Sequence, residues 1–257
     1  MLNQLCTPFP THLKMSSTQC PSSAEEKANH VSSPIFIASR VPHVCHGIYQ
    51  CSDIAQAVGA VSKYMANPGC DHWKVVKWIL RYLRGTSGFC LCYSYDNLSC
   101  VGYVDSDFAG DLDKRRSTSG LVFTMAGGAI SWESKLQSVV ALSTTEAEYI
   151  ASTHACKEAI WLKRLLGEFK LNQDQFSVYC DSQSALHLAR NPAFHSRTKH
   201  IEVRYHFVRK VVEDGQILLH KISTKSNPAD MLTKPVAKEK FTYCCTSLGL
   251  KAHFSWA

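Results

Sequence analysis

No run of apolar residues in this sequence is long enough to cross a bilayer. The opening stretch, MLNQLCTPFPTHLKM, also lacks a basic segment followed by an apolar one. Neither a transmembrane helix nor a secretory leader is expected, and the chain reads as intracellular, cytoplasmic or nuclear, with no membrane partner. Cys-x-x-Cys is absent, although the chain holds 12 cysteines. They fall at irregular intervals, Cys90/Cys92 and Cys244/Cys245 are the only close pairs, and no histidines stand at zinc-finger spacing. This excludes a disulfide framework and a zinc site and leaves reduced, mostly buried thiols. Strong net charge is missing too: 28 Lys+Arg against 21 Asp+Glu leave +7. Such an excess suits a polyanionic partner without requiring one.

What is present is enough apolar material, 45% of 257 residues, for one good-sized core with appendages or for two small domains. Residues 1–33 are rich in Ser, Thr and Pro, and with 34–50, PIFIASRVPHVCHGIYQ, they read as a poorly ordered arm over residues 1–50. Residues 51–95 read as a small helical segment. Asp53 is placed to cap a helix carrying Ile54, Ala57, Val58, Val61 and Met65 on one face, stopped by Asn67-Pro68-Gly69. Asp71 is placed to cap a second helix with Trp73, Val76, Ile79, Leu80 and Leu83 inward, ended by Gly85. Its outer face, Lys74, Lys77, Arg81 and Arg84, fits contact with nucleic acid or plain solvation equally well.

From about Leu98 the pattern changes. Leu98–Val104, Leu121–Met125 and Ala129–Trp132 read as three sequential strands. A long helix follows from about Thr144 to Phe169, anchored by Ile150, Trp161, Leu162, Leu165, Leu166 and Phe169. Phe176–Cys180 is a fourth strand, Ser182–Ala189 and Ile201–Val212 are helices, Ile217–Ile222 is a fifth strand, and Pro228–Thr233 starts a last helix. The order βββαβααβα predicts an α/β fold, a mixed five-stranded sheet flanked by helices. It spans residues 96–235, with a C-terminal helix and tail over 236–257.

Carboxylates recur at strand ends and helix starts. Asp105 ends the first strand, Glu148 lies in the first turn of the long helix, Asp181 ends the fourth strand, and Asp230 lies in the first turn of the last helix. Ligands gather at such places in open α/β sheets. Acids converging there repel one another, and hard divalent cations relieve that repulsion. Two such ions roughly 4 Å apart can activate a water and stabilise a leaving oxygen. Each acid alone also reads as an ordinary turn, cap or helix-start residue. Spacing makes either Glu146, in Ser143-x-x-Glu146, or Glu148, in Thr145-x-x-Glu148, a capping-box partner.

The segments YVDSDFAGD, KRRSTSG, ISWESKLQ, VALSTTEAEYIA, VYCDSQSAL, RTKHIEVRYHFVR and PADMLTKP, in that order through 98–235, resemble the ribonuclease H domain of copia-type retrotransposon Pol polyproteins. The resemblance implies a ribonuclease H-like fold and hydrolysis of the RNA strand of RNA/DNA hybrids with two Mg²⁺ ions, or Mn²⁺ in their place. It also implies a reverse transcriptase domain as partner in a longer polyprotein. By motif, the catalytic and metal-binding acids fall on Asp105, Glu148, Asp181 and Asp230, with Asp105 expected to be shared between the ions and Glu146 left for the cap. Asp107 is placed to assist, and Asp111 and Asp113, in the turn before Lys114–Arg116, to solvate or pair with that basic run. Substrate contacts are expected from Lys114, Arg115, Arg116, Arg197 and Lys199 on phosphates. Ser106, Ser182 and Gln183 are expected on 2′-hydroxyls. Lys114–Arg116 also reads as a solvated turn, and His200 as a packing residue. The loop STKSNPAD has no histidine where many ribonucleases H carry one, and Lys225 is its sole basic residue.

Residues 52–93 resemble the segment between polymerase and ribonuclease H in those polyproteins, but no Tyr-x-Asp-Asp polymerase motif occurs. In place of the family text before the first helix stands PIFIASRVPHVCHGIYQ. Codons for it can be chosen that, shifted by one nucleotide, read PYSSQVGSLMYAMVYT, which predicts a frameshift pair, or a mis-joined gene model, near residues 33 and 51. Against the nuclease stands the alternative of a non-catalytic transposon remnant that folds and at most binds nucleic acid.

Overall fold

The computed structural model describes residues 7–23, 26, 52–94, 97–173, 175–190 and 202–252. The segment 34–50 and its proposed frameshift lie outside them. Residues 7–23, expected in a weakly ordered arm, are packed against the body. Phe9 is buried, and the Trp78 indole donates to the Thr7 carbonyl at 2.9 Å. Aromatic anchoring, which composition does not register, fixes this stretch.

Helices α1 (Ala55–Ser62) and α2 (Cys70–Gly85) follow. Neither has the cap expected. Ile54 occupies the α1 cap position without a side-chain bond, and Asp53 is buried, accepting the Tyr82 hydroxyl at 2.6 Å. Gly69 caps α2, its N–H donating to His72 Nδ1 at 2.9 Å, while Asp71 sits inside the helix and pairs with Lys74. A Cβ on Gly69 would lie 1.7 Å from the Gln19 carbonyl oxygen, so the packed arm admits only glycine there. The inward face of α2 is His72, Val75, Ile79 and Tyr82, and Leu80 is 45% exposed. Lys74, Lys77, Arg81 and Arg84 do form the exposed face, with Leu80 among them, and the buried stripe takes His72 and Tyr82 where Trp73 and Leu80 were expected.

The main sheet has β2 (Val101–Ser106), β3 (Thr118–Met125), β4 (Gly128–Leu136), β5 (Ser177–Cys180) and β6 (Leu218–Lys221), preceded in the chain by β1 (Phe89–Leu91). Its order is β4-β3-β2-β5-β6, antiparallel across β4-β3-β2 and parallel across β2-β5-β6. The five expected strands are all present, several residues longer in β3 and β4. Helices α3 (Thr144–Glu168), α4 (Gln183–Arg190) and α5 (Glu202–Glu213) connect them. The pleat sends Leu121 and Phe123 into a core with Tyr149, Ala155 and Leu162 of α3, and Val122 into a second core on the other face. That second core joins Phe9 of the arm, Ile54 and Val58 of α1, Val75 and Ile79 of α2, and Phe241 and Cys244 of α6 (Lys238–Ser247). The helical segment and C-terminal helix thus share one interior with the sheet.

Ser143 caps α3 as expected: its Oγ accepts the Glu146 N–H at 3.1 Å, and Glu146 accepts the Leu142 N–H at 2.7 Å. Ile150, Leu162 and Leu166 are buried, but Trp161 (55% exposed), Leu165 and Phe169 are not. Ala151, Ala155 and Ala159 are buried in the sheet core beside Tyr149 and Leu162, and their small side chains let the helix sit close while Trp161, Leu165 and Phe169 stay at the surface. Pro228–Leu232 forms a 3₁₀ turn and not the start of the last helix. Pro235, without an N–H and restricting Lys234 before it, separates that turn from α6. After α6, β7 (Leu250–Ala252) pairs antiparallel with β1, a ladder no sequence pattern announced because each strand has only three residues. Among the described residues no helix is long and apolar enough to cross a membrane.

Candidate metal centre

Strands β2 and β5 are parallel neighbours, with Val104 opposite Cys180. Asp105 and Asp181 therefore emerge side by side at the carboxyl end of the sheet. The 3₁₀ turn brings Asp230 to the same place. Asn227 fixes that turn: its Nδ2 donates to the Val104 carbonyl at 2.9 Å and its Oδ1 accepts the Ala229 N–H at 3.1 Å. Gly120, opposite Asp105 on β3, allows the approach, since a Cβ there would lie 2.8 Å from Leu232 Cβ. Carboxylate oxygens of Asp105, Asp181 and Asp230 come within 4.8 Å of one another. Glu148, which lies just past the first turn of α3 instead of in it, forms a second such group with Asp181 and the Cys180 sulfur. Asp181 is common to both groups, the place expected for Asp105.

Asp105, Glu148 and Asp230 are buried, Asp181 half-buried. Burial drives the Asp105 carboxyl up to about 7, with Asp230 adding to the rise and Lys234 and the Thr233 hydroxyl opposing it. Burial, then the Asp105 and Asp181 charges, push Glu148 up to about 9, against a 3.2 Å bond from the Ser106 N–H. The Cys180 thiol, pushed up to about 12 by burial and by Glu148, stays protonated and points at Glu148 Oε2. The ligand set is therefore carboxylate oxygen, which matches Mg²⁺ or Mn²⁺ and not a thiolate-seeking metal.

Two lysines reach the acids. Lys234 Nζ lies 3.3 Å from Asp105 Oδ2 and 3.1 Å from Asp230 Oδ1, and Lys240 Nζ lies 3.2 Å from Asp230 Oδ2. Sequence reasoning passed over both, along with Thr233, Asn227 and Cys180. Asn-Pro before the last acid was the available signal, as a cap followed by proline at the first helical position.

The other expected residues divide. Asp107 turns back to the Thr118 N–H and stands outside both acidic groups, its carboxyl raised to about 6 mainly by burial. Asp111 pairs with Lys63 at 3.1 Å, and Asp113 accepts Ser17 N–H and Oγ and the Tyr64 hydroxyl at 2.9 Å. Instead of meeting the basic turn through their side chains, these two acids bind the arm and α1 to the sheet domain. The basic run meets Asp111 through backbone groups: the Lys114 N–H donates to its carboxylate, the Arg115 N–H to its carbonyl, and its own N–H to the Arg116 carbonyl. Lys114 and Arg115 are exposed and Arg116 half-buried. Ser182 Oγ accepts the Ala185 N–H at the start of α4, Gln183 is exposed, and Ser106 Oγ is buried without a hydrogen-bond partner. Arg197, Lys199 and His200 lie outside the described residues.

This sheet order, with acids at the ends of its two central parallel strands, defines a ribonuclease H-like domain. No protein-family model matches the chain. It is 53% identical over 249 residues to the Retrovirus-related Pol polyprotein from transposon TNT 1-94 of Nicotiana tabacum, covering 96% of this chain and 18% of that protein. To the Retrovirus-related Pol polyprotein from transposon RE2 of Arabidopsis thaliana it is 40% identical over 200 residues, covering 77% of this chain and 14% of that one. The chain belongs to the copia-type retrotransposon Pol polyproteins, as a segment that carries their ribonuclease H domain. It spans less than a fifth of those relatives' length. Among solved structures it resembles LC11-RNase H1 from compost (15% identity, TM-score 0.42, 53% of this chain and 93% of that one). It also resembles LC11-RNase H1 in complex with RNA/DNA hybrid (16% identity, TM-score 0.41, 52% and 94%).

Proposed function

We propose that this chain hydrolyses the RNA strand of RNA/DNA hybrids as the nuclease segment of a retrotransposon Pol polyprotein. The observation that carries the reading is the convergence of carboxylate oxygens from Asp105, Asp181 and Asp230 within 4.8 Å, with Glu148 joined to the same group through Asp181. Asp105, Glu148, Asp181 and Asp230 are the residues that would hold two Mg²⁺ ions, or Mn²⁺. Bound there, such ions supply a nucleophilic water and stabilise charge on the leaving oxygen. The protein's own part is to hold the acids. Asn227 and Gly120 set Asp230 against β2, the Ser106 N–H orients Glu148, and Thr233 orients Asp105.

Substrate contacts would come from the rim. Lys114 and Arg115, both exposed, and Arg116 would contact phosphates. Exposed Gln183 suits 2′-hydroxyls, with Ser182 contributing what its cap leaves free, whereas the Ser106 hydroxyl is buried and would need the rim to open. A reverse transcriptase domain elsewhere in the polyprotein would deliver the hybrid. The test is incubation of the purified chain with a labelled hybrid and Mg²⁺, beside Asp181→Asn and beside double-stranded DNA. Cutting of the RNA strand that needs Mg²⁺ and disappears in Asp181→Asn is expected. Equal cutting by both proteins, or none by either, overturns the reading, the latter in favour of a folded remnant without activity.

A further inference from the structure

Lys234 and Lys240 both approach Asp230, but they are held differently. Lys240 donates to the carbonyls of Thr224, Lys225 and Asn227 at 2.8–2.9 Å, so the three N–H groups of its ammonium are taken by backbone. Its side chain is 19% exposed. It is a strut of the 224–230 loop that also faces Asp230 Oδ2. Lys234 has no backbone acceptor for its ammonium among the described residues. Its Nζ rests between Asp105 Oδ2 and Asp230 Oδ1 alone, and its side chain is 43% exposed. It enters the cluster from a cleft of about 660 Å³ that it lines with Lys63, Leu13 and Leu136. The fit is incomplete. The ammonium is 3.1 Å from Asp230 Oδ1, yet no donor is aligned on that oxygen as a hydrogen bond.

We propose that Lys234 is a resident counter-ion of this acidic cluster, bridging Asp105 and Asp230 in the metal-free protein and withdrawing into the cleft when a divalent cation takes those carboxylates. The inference rests on the reading of the cluster as a metal site. Two cations cannot share the same pair of oxygens without repelling each other, and of the two lysines Lys234 alone is free to leave. Its hold on the acids lowers the apparent metal affinity by the fraction of time the site is taken.

The test compares the whole chain with Lys234→Met and Lys240→Met, titrating Mn²⁺ by calorimetry without nucleic acid and melting each protein in EDTA. Lys234→Met is expected to bind Mn²⁺ about tenfold more tightly. It should also melt below the parent in EDTA, a gap that closes in saturating Mn²⁺. Affinity within twofold of the parent, or an equal gain in Lys240→Met, overturns the inference, because loss of any nearby positive charge would then suffice. Since Lys240→Met removes a strut and can fail to fold, lysine ¹³Cε resonances of the parent provide a second measurement. Mg²⁺ should move the Lys234 signal and leave that of Lys240 in place. A stationary Lys234 signal while the cation binds overturns the exchange and leaves the metal site standing. Absence of cation binding in every protein removes the metal reading itself, and the exchange with it.

Discussion

The hydroxyl of Tyr82 donates to Asp53 Oδ2 at 2.6 Å, joining the last turn of α2 to the residue before the α1 cap, beside the second core. Asp53 is buried, and its other oxygen has no hydrogen-bond partner. Burial raises its carboxyl above the ordinary range, while the Tyr82 bond pulls it back. Tyr82→Phe removes the one side-chain donor and should cost about 1–3 kcal/mol, read by denaturant unfolding at pH 7. A folded pKa above the unfolded one means stability that is present at low pH and lost as pH rises. Asp53→Asn keeps an oxygen for Tyr82 and carries no charge, so it should match the parent at pH 4 and exceed it at pH 8. A variant less stable than the parent at pH 8 would contradict this.

The acidic cluster predicts the same direction on a larger scale. Unfolded carboxylates titrate near ~4, whereas Asp105 and Glu148 are raised to about 7 and about 9 in the folded protein. The metal-free protein therefore keeps protons that the unfolded chain has released, and its stability falls as pH climbs toward 9. Melting temperatures in EDTA should decline from pH 5 to pH 9, and Glu148→Gln should flatten the upper part of that decline. A profile that is level or rises in the parent would show that the acids are not held as described.

Gly120→Ala tests how the fourth acid is placed. The new Cβ would sit 2.8 Å from Leu232 Cβ and Thr233 Cγ2 and 3.0 Å from the Ala229 carbonyl. The 3₁₀ turn must move outward, at a cost of about 1–3 kcal/mol. Because Asp230 rides on that turn, Mn²⁺ affinity should weaken as well. A change in denaturant midpoint without any change in affinity would separate Gly120 from the site.

The sheet and its acids were legible because they rest on signals that the chain repeats. Strand alternation and turn residues mark β2 to β6, and Asp105, Glu148, Asp181 and Asp230 each stand where an element begins or ends. What was not legible depends on partners distant in sequence. Asp53 looks like a helix cap until Tyr82, 29 residues on, claims it. Asp113 looks like a turn residue until Ser17, 96 positions earlier, and Tyr64 bind it. Trp161 and Phe169 look like anchors until the alanines of α3 prove to be the packed face. Lys234 could not be assigned to the acids, because two of them reach it from different elements.

The shared second core bears on how the molecule can be divided. Val122 and Ala129 of the sheet pack with Ile54, Val58, Val75, Phe241 and Cys244, all outside residues 96–235. A chain cut to 96–235 would bare that face, and is expected to aggregate in gel filtration and light scattering, as exposed apolar patches do. A monodisperse, cooperatively melting 96–235 fragment would refute the dependence.

The ladder between β1 and β7 has a consequence for synthesis. Leu91 leaves the ribosome long before its partner Leu250. At roughly 5–20 residues per second, the wait is on the order of 10–30 s. Phe241 and Cys244 arrive just ahead of that strand, so the second core, begun by Phe9, Ile54, Val58 and Val75 before the sheet is made, stays incomplete until they join it. Asp230 rides on a turn of that same core, so the fourth acid and the closing helix reach the sheet together, well after Asp105, Glu148 and Asp181 have been made.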